Sequence, residues 1–332
     1  MPNETLRLEL QQALDGQYDL SRELPRGGMS RVFLATETAL RRLVVIKVLA
    51  PELAATLSAE RFKREIEVAA RLQHPRIVPL LAAGQAGRHL YYTMPFVDGE
   101  SLRARMSRER RLAVPDVVAI VQEVAGALDY AHGEGVVHRD IKPENVMFFH
   151  GQAVVLDFGI AKALVSASTS ETEIARITQA GMSLGTPAYV SPEQAAGEAS
   201  LDHRADLYAL GVVAYEMLTG HPPFAGRTPL AVLEAHARQA PAPLSAGRPD
   251  VPRALEALVM QLLEKSPDAR PASGSVVAAR LRQPAMQRAA GGSAMVQRLT
   301  ALPTWLPWVI AAVTTAAALV LGALYLGART GG

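Results

Sequence analysis

The stretch Val136-Val137-His138-Arg139-Asp140-Ile141-Lys142-Pro143-Glu144-Asn145-Val146-Met147-Phe148-Phe149-His150-Gly151-Gln152-Ala153-Val154-Val155-Leu156-Asp157-Phe158-Gly159 decides the fold of this chain. Asp140 and Asn145 lie on one loop. A short apolar run, Ala153 to Leu156, then reads as a strand that brings Asp157 back beside them. The hairpin therefore gathers oxygen-bearing side chains of the kind that hold magnesium and orient a hydroxyl.

The ordered set His138-Arg139-Asp140, Asn145 and Asp157-Phe158-Gly159 resembles the eukaryotic-like (Hanks-type) protein kinase family, specifically its membrane-bound bacterial serine/threonine members. The resemblance runs from about Tyr18 to Leu281. It implies an α+β, bilobal fold, with a small β-rich lobe over 18–97 and a large helical lobe over 98–283. Phosphoryl transfer asks a protein mainly to position reactants and neutralise charge. The resemblance accordingly implies that Asp140 accepts or orients the proton of a substrate hydroxyl. It gives Asn145 and Asp157 to Mg²⁺, with Mn²⁺ as a substitute, and Lys142 to the transferring phosphate of ATP. Lysine two residues after Asp140 is the serine/threonine pattern.

Upstream, Tyr18 to Leu24 and Arg31 to Ala35 read as strands around the turn Pro25-Arg26-Gly27-Gly28-Met29-Ser30. In the family this loop is Gly-x-Gly-x-x-Gly, whose backbone covers the ATP phosphates because missing side chains permit close approach. Here only Gly27 keeps the pattern. Pro25 replaces the first glycine, fixing φ and removing a donor, and Ser30 replaces the third. The resemblance assigns Leu24, Gly27, Gly28, Met29, Ser30 and Val32 to the nucleotide site. Pro25 motivates an alternative reading, a membrane-tethered pseudokinase scaffold, against which the joint presence of Lys47, Asp140, Asn145 and Asp157 argues.

Val44-Val45-Ile46-Lys47 is a β-branched run that suits a buried strand ending in one cation. Lys47 matches the kinase ATP lysine, and Glu65, on the helical pattern Arg61 to Leu72, matches its partner glutamate. Periodicity alone leaves Glu60 and Glu67 open as competitors. His74-Pro75 ends the helix, and Ile77 to Ala82 and His89 to Met94 read as the last strands of the small lobe. Met94 to Val97 is the lobe connection. By resemblance Met94 borders the adenine pocket, and the backbones of Pro95 and Val97 pair with adenine.

Beyond it, Ser101–Met106 and Pro115–Gly133 show helical spacing. A polar stretch, Ser166 to Ser183, reads as a surface loop. It closes on Gly185-Thr186-Pro187-Ala188-Tyr189-Val190-Ser191-Pro192-Glu193, which resembles the peptide platform and Ala-Pro-Glu elements of the family, with Ser191 in place of Ala. A platform of this kind favours a protein substrate over a small molecule. The resemblance implies a buried ion pair between Glu193 and Arg270, support of the catalytic loop backbone by Asp206, and a preference from Glu144 for a basic residue near the acceptor. His203 and His221 read as surface or loop residues. Arg139 supplies a cation for a phosphate on the loop, with Thr178 the leading acceptor and Thr169, Thr172 and Ser183 as alternatives.

The whole chain has 332 residues, a net charge of +2 and no cysteine. That length favours two lobes or domains. The charge gives no reason to expect a nucleic-acid partner, and the missing cysteines exclude disulfides, thiolate metal sites and a thiol nucleophile. Residues 1–17 form a lead-in, helical over Glu4–Leu14, without an assigned function, and Met1–Leu20 lack the apolar core of a secretory signal. After a linker over 284–304, residues 305–328 read as a transmembrane helix, with Trp305 and Trp308 at one end and Tyr325 at the other. Arg280, Arg282, Arg288 and Arg298 precede it, while only Arg329 follows in the tail 329–332. The expectation is a single pass with the catalytic domain on the cytoplasmic side, no external sensing domain, and homodimeric encounters that permit phosphorylation in trans.

Overall fold

The computed structural model describes residues 2–24, 30–50, 59–158, 187–198 and 201–286. The small lobe is built from strands β1 (Tyr18–Glu23), β2 (Ser30–Glu37), β3 (Arg42–Leu49), β4 (Ala82–Ala86) and β5 (His89–Pro95), antiparallel in the order β1-β2-β3-β5-β4. Alternation along β3 assigns its two faces, as the period of two in a strand requires. Val44, Ile46 and Val48 join Phe33, Ala35 and Tyr91 on one face. Val45 packs with Leu90, Tyr92 and Met94 on the other, against Phe62 and Ile66 of helix α2 (Ala59–Ala70).

The amino-terminal helix α1 (Pro2–Ala13) belongs to this lobe's core. Leu10 and Leu14 are buried beneath the sheet. The Gln11 amide donates to the Tyr18 carbonyl at 3.0 Å and accepts from the Leu20 N–H at 2.7 Å, so one side chain serves backbone groups of edge strand β1.

The strand expected over Ile77–Ala82 is not formed there, and β4 begins only at Ala82. Pro79 has no N–H to continue a ladder. The residues before it turn to the large lobe instead: the Val78 N–H donates to the Val155 carbonyl at 3.0 Å, and the Val155 N–H to the Arg76 carbonyl at 2.8 Å.

The large lobe comprises α3 (Leu102–Glu109), α4 (Val114–Gly133), the hairpin β6 (Val146–Phe149) and β7 (Gln152–Val155), the single turn α5 (Pro192–Ala195), and α6 (Arg204–Thr219), α7 (Pro229–Arg238), α8 (Arg253–Leu262) and α9 (Gly274–Leu281). Helix α6 is buried on every side from Ala205 to Thr219, which makes it the axis of the lobe. Close approach around the axis uses glycine. A Cβ on Gly274 would lie 2.3 Å from the Ala125 carbonyl oxygen of α4. Ser191 proves a useful replacement for alanine, since its side chain and that of Gln194 form a reciprocal capping box at the start of α5.

Among the described residues no helix is long and apolar enough to cross a membrane, and the span expected over 305–328 lies outside them. The chain divides into a compact unit, Met1–Gln287, and the remainder, Arg288–Gly332.

Candidate active site

Asp206, at the head of the buried axis, sets the catalytic turn in place. Its two carboxylate oxygens accept the backbone N–H groups of His138 and Arg139, each at 2.7 Å, and His132 Nε2 donates to Oδ2 at 2.8 Å. Burial alone would raise the Asp206 pKa, but the hydrogen bonds and nearby imidazoles outweigh it and hold the carboxyl below its ordinary value. The support is needed because Arg139 has φ of 64°, a left-handed conformation that non-glycine residues rarely adopt. Asp157 is similar, with φ of 57°.

His138 is wholly buried, and its hydrogen bonds define one tautomer. Nδ1 accepts from the Asp140 N–H at 3.2 Å, so Nε2 carries the proton and donates to the Leu156 carbonyl at 2.9 Å. Burial lowers the pKa of this ring against the pull of Asp206, which keeps it neutral. It thereby ties the catalytic turn to the strand end that delivers Asp157, and it packs on Phe158 at a ring distance of 4.7 Å.

Asp140 Oδ2 meets Lys142 Nζ at 2.7 Å and Asn145 Nδ2 at 3.1 Å, and the same Nδ2 donates to the Asp140 carbonyl at 2.8 Å. The Leu156 N–H donates to the Asn145 carbonyl at 2.8 Å, linking Asn145 to the start of the Asp157 segment. Across from this turn, Val32, Lys47 and Tyr92 are register partners on β2, β3 and β5 and so share one sheet face. Two of them reach Asp157: Lys47 Nζ lies 3.2 Å from Oδ2, and the Tyr92 hydroxyl donates to Oδ1 at 3.4 Å. The arrangement thus brings together Asp140, Lys142 and Asn145 on one side and Asp157 with Lys47 on the other. Asn145 and Asp157 present the oxygen donors that a hard divalent cation prefers.

Of the other residues expected at the nucleotide site, Val32 and Met94 are buried on the sheet, while Leu24, Ser30, Pro95 and Val97 are half-buried along its edge and the lobe connection. Gly27, Gly28 and Met29 lie outside the described residues, as does the side chain of Glu65. The competing carboxylates Glu60 and Glu67 are both exposed. Thr169, Thr172, Thr178, Ser183 and Thr186 also fall outside the described residues.

The platform is anchored as expected. Arg270 donates to both oxygens of Glu193 at 2.8 Å, and to the carbonyls of Arg204, Glu264 and Lys265. Gln194 Nε2 donates to the Arg139 carbonyl at 3.1 Å, fastening the platform to the catalytic turn. His203 is half-buried and its Nε2 donates to the Ala272 carbonyl at 2.9 Å, and His221 is exposed. Tyr92 and His132 went unremarked in the sequence. Only the strand register and the packing of α4 on α6 reveal them.

A small β-rich lobe over a helical lobe, with carboxylate, amide and lysine groups gathered on the sides that face each other, is the architecture of a protein kinase domain. Residues 18–281 match the protein kinase domain family, and the chain belongs to that family, in its bacterial Hanks-type serine/threonine branch. It is 42% identical over 265 residues to the serine/threonine-protein kinase PknB of Mycolicibacterium smegmatis, covering 78% of this chain and 41% of that protein. It is 40% identical over 263 residues to PknB of Mycobacterium tuberculosis, covering 77% and 41%. To serine/threonine-protein kinase pkn3 of Myxococcus xanthus it is 41% identical over 275 residues, covering 80% and 49%. The chain matches less than half the length of each of these relatives.

Proposed function

We propose that this chain is an ATP-dependent serine/threonine protein kinase, with Asp140 taking or orienting the proton of the acceptor hydroxyl. The observation that carries the reading is two adjoining clusters, Asp140 with Lys142 and Asn145 and Asp157 with Lys47, linked by the bond from the Leu156 N–H to the Asn145 carbonyl. Lys142 beside Asp140 places a cation next to the carboxylate that handles the proton, where charge moves during transfer. Lys47, with Glu65 as its partner in the nucleotide-bound state, orients the ATP phosphates. Leu24, Gly27, Gly28, Met29, Ser30 and Val32 cover the nucleotide, and Met94 and the backbones of Pro95 and Val97 receive adenine. Asn145 and Asp157 would hold Mg²⁺, with Mn²⁺ as a substitute, whose charge neutralises phosphate oxygens. The pseudokinase reading is not favoured, since these residues are all present and the relatives are named as kinases.

In the same reading a single helix over 305–328 anchors the chain in the cytoplasmic membrane with the kinase domain facing the cytoplasm. The arginines preceding that helix support this orientation. Anchoring raises local concentration, so neighbouring copies phosphorylate each other in trans, at Thr178 or at Thr169, Thr172 or Ser183.

Incubation of the purified chain with γ-labelled ATP, Mg²⁺ or Mn²⁺ and a generic protein substrate should yield phosphoserine and phosphothreonine. Absence of both with either metal would reject the enzyme. Deletion of 299–332 should release the protein to the soluble fraction, and retention in the membrane would reject the anchor.

A further inference from the structure

One aromatic side chain touches both charges of the Lys47–Asp157 pair. Tyr92, on β5, is 2% exposed, and its ring belongs to the apolar layer of Leu49, Phe62, Ile66, Leu90 and Met94 that seats α2 on the sheet. From that layer its hydroxyl crosses to the large lobe and donates to Asp157 Oδ1 at 3.4 Å. The Lys47 ammonium lies 5.6 Å from the ring centre and 3.2 Å from Asp157 Oδ2. Each oxygen of the Asp157 carboxylate therefore meets a donor from the small lobe.

Packing alone does not ask for a tyrosine here. Its neighbours in the layer are apolar, and burying a hydroxyl costs free energy that an aliphatic side chain would avoid. What the hydroxyl gains is its acceptor. Asp157 has φ of 57°, a conformation that a non-glycine residue keeps only when its surroundings hold it there. The chain before it is fixed from the large lobe: the Leu156 N–H donates to the Asn145 carbonyl at 2.8 Å, and the Leu156 carbonyl accepts from His138 Nε2 at 2.9 Å. The carboxylate itself is fixed from the small lobe. A point charge on one oxygen leaves the plane of a carboxylate undetermined, whereas donors on both oxygens define it. An oxygen that accepts one hydrogen bond can still face a cation with its other lone pair, and such outer partners set the direction in which a carboxylate offers itself to metal.

We propose, resting on the kinase reading above, that Tyr92 is a positioning residue for the divalent cation: its hydroxyl holds the Asp157 carboxylate in the orientation that receives the metal accompanying the nucleotide. Loss of that hydroxyl damages the contribution of metal to nucleotide binding and leaves the sheet and its apolar layer in place.

The test measures binding of a fluorescent, non-hydrolysable ATP analogue to the full 332-residue chain in detergent, by anisotropy, once in EDTA and once in saturating Mg²⁺. The wild-type chain should bind more tightly with Mg²⁺. Tyr92→Phe, which keeps the ring, should lose about tenfold of that gain, the scale of a lost outer partner of a metal ligand, while its affinity in EDTA stays as in the wild type. Tyr92→4-aminophenylalanine, which keeps a donor at the same place, should recover the gain. In an Asp157→Asn background Tyr92→Phe should have no further effect, because the hydroxyl acts through that carboxylate. Tyr92→Leu serves where Tyr92→Phe does not fold, and the ratio of the two affinities within one preparation is independent of the folded fraction. An equal Mg²⁺ gain in wild type and Tyr92→Phe, or a loss in EDTA as large as that in Mg²⁺, would overturn the proposal and leave Tyr92 a packing residue. A wild-type chain that does not bind the analogue at all would reject the kinase reading, and the role of Tyr92 with it, so the two failures are told apart.

Discussion

Two ion pairs, each between residues far apart in the chain, are held in different ways. Arg270 and Glu193 are joined by a two-pronged fork, and every remaining prong of the guanidinium reaches a backbone carbonyl, with the Tyr208 ring 4.9 Å from its carbon. Lys47 and Asp157 meet as point charges at 3.2 Å, with the ammonium 5.6 Å from the centre of the Tyr92 ring. The first pair holds the platform to the body of the large lobe and has no donor left for a ligand. The second joins the two lobes through residues proposed to receive phosphates and metal. The pair that holds the fold is locked by arginine, and the pair proposed to act on nucleotide is presented by lysine.

The comparison predicts that variants separate by what they damage. The largest effect belongs to Asp140→Asn, which should lower the rate of phosphoryl transfer by about 10²–10⁴-fold while leaving nucleotide affinity close to wild type. Steady-state transfer with nucleotide titration in parallel checks it, and an equal loss of affinity would mean that Asp140 helps to hold nucleotide. Next comes Arg270→Ala. Glu193 would be left as an unpaired charge in a buried place, which costs roughly 3–5 kcal/mol of stability by denaturant titration. A loss near zero would show that water reaches the pair.

A smaller effect belongs to His236, where burial above all, with the charge of Lys265, pushes the imidazole pKa down to about 4. The neutral ring is bonded to the Tyr208 hydroxyl at 2.9 Å. With the folded pKa below the ordinary 6.5, the unfolded chain binds the extra proton first. Its contribution is therefore complete above pH 6.5 and is lost as pH falls toward about 4. Melting temperature should decline over that window, and His236→Gln should flatten part of the slope. An identical slope in the variant would assign the decline to other groups.

What could be read from the sequence follows the same division. Asp140, Asn145 and Asp157 were legible because a single hairpin brings them together and their order is informative. Glu193 with Arg270, and Asp206 under the turn, were legible through family resemblance. The contacts made by Tyr92 with Asp157, His132 with Asp206, and Arg103 with Glu216 were not, for they join residues 65, 74 and 113 positions apart through lobe packing. No local spacing encodes them. The late start of β4 was missed for a local reason, since apolar residues on either side of Pro79 look like one strand until the missing N–H is weighed.

The most direct test of the difference between the two pairs is the shift in melting temperature that MgATP produces, measured on the wild-type chain, Lys47→Met and Arg270→Ala. Ligand binding to the folded state alone raises the melting temperature, by an amount that grows with the logarithm of ligand concentration over Kd. Lys47→Met leaves the buried Asp157 without its cation and should melt modestly below the wild type without nucleotide while losing most of the shift, whereas Arg270→Ala, which forfeits a forked pair and three carbonyl bonds, should melt well below it and, where folded, keep the shift. If Lys47→Met lowers the nucleotide-free melting temperature as much as Arg270→Ala, or retains the full shift with MgATP, the lysine is a structural charge and the account is contradicted.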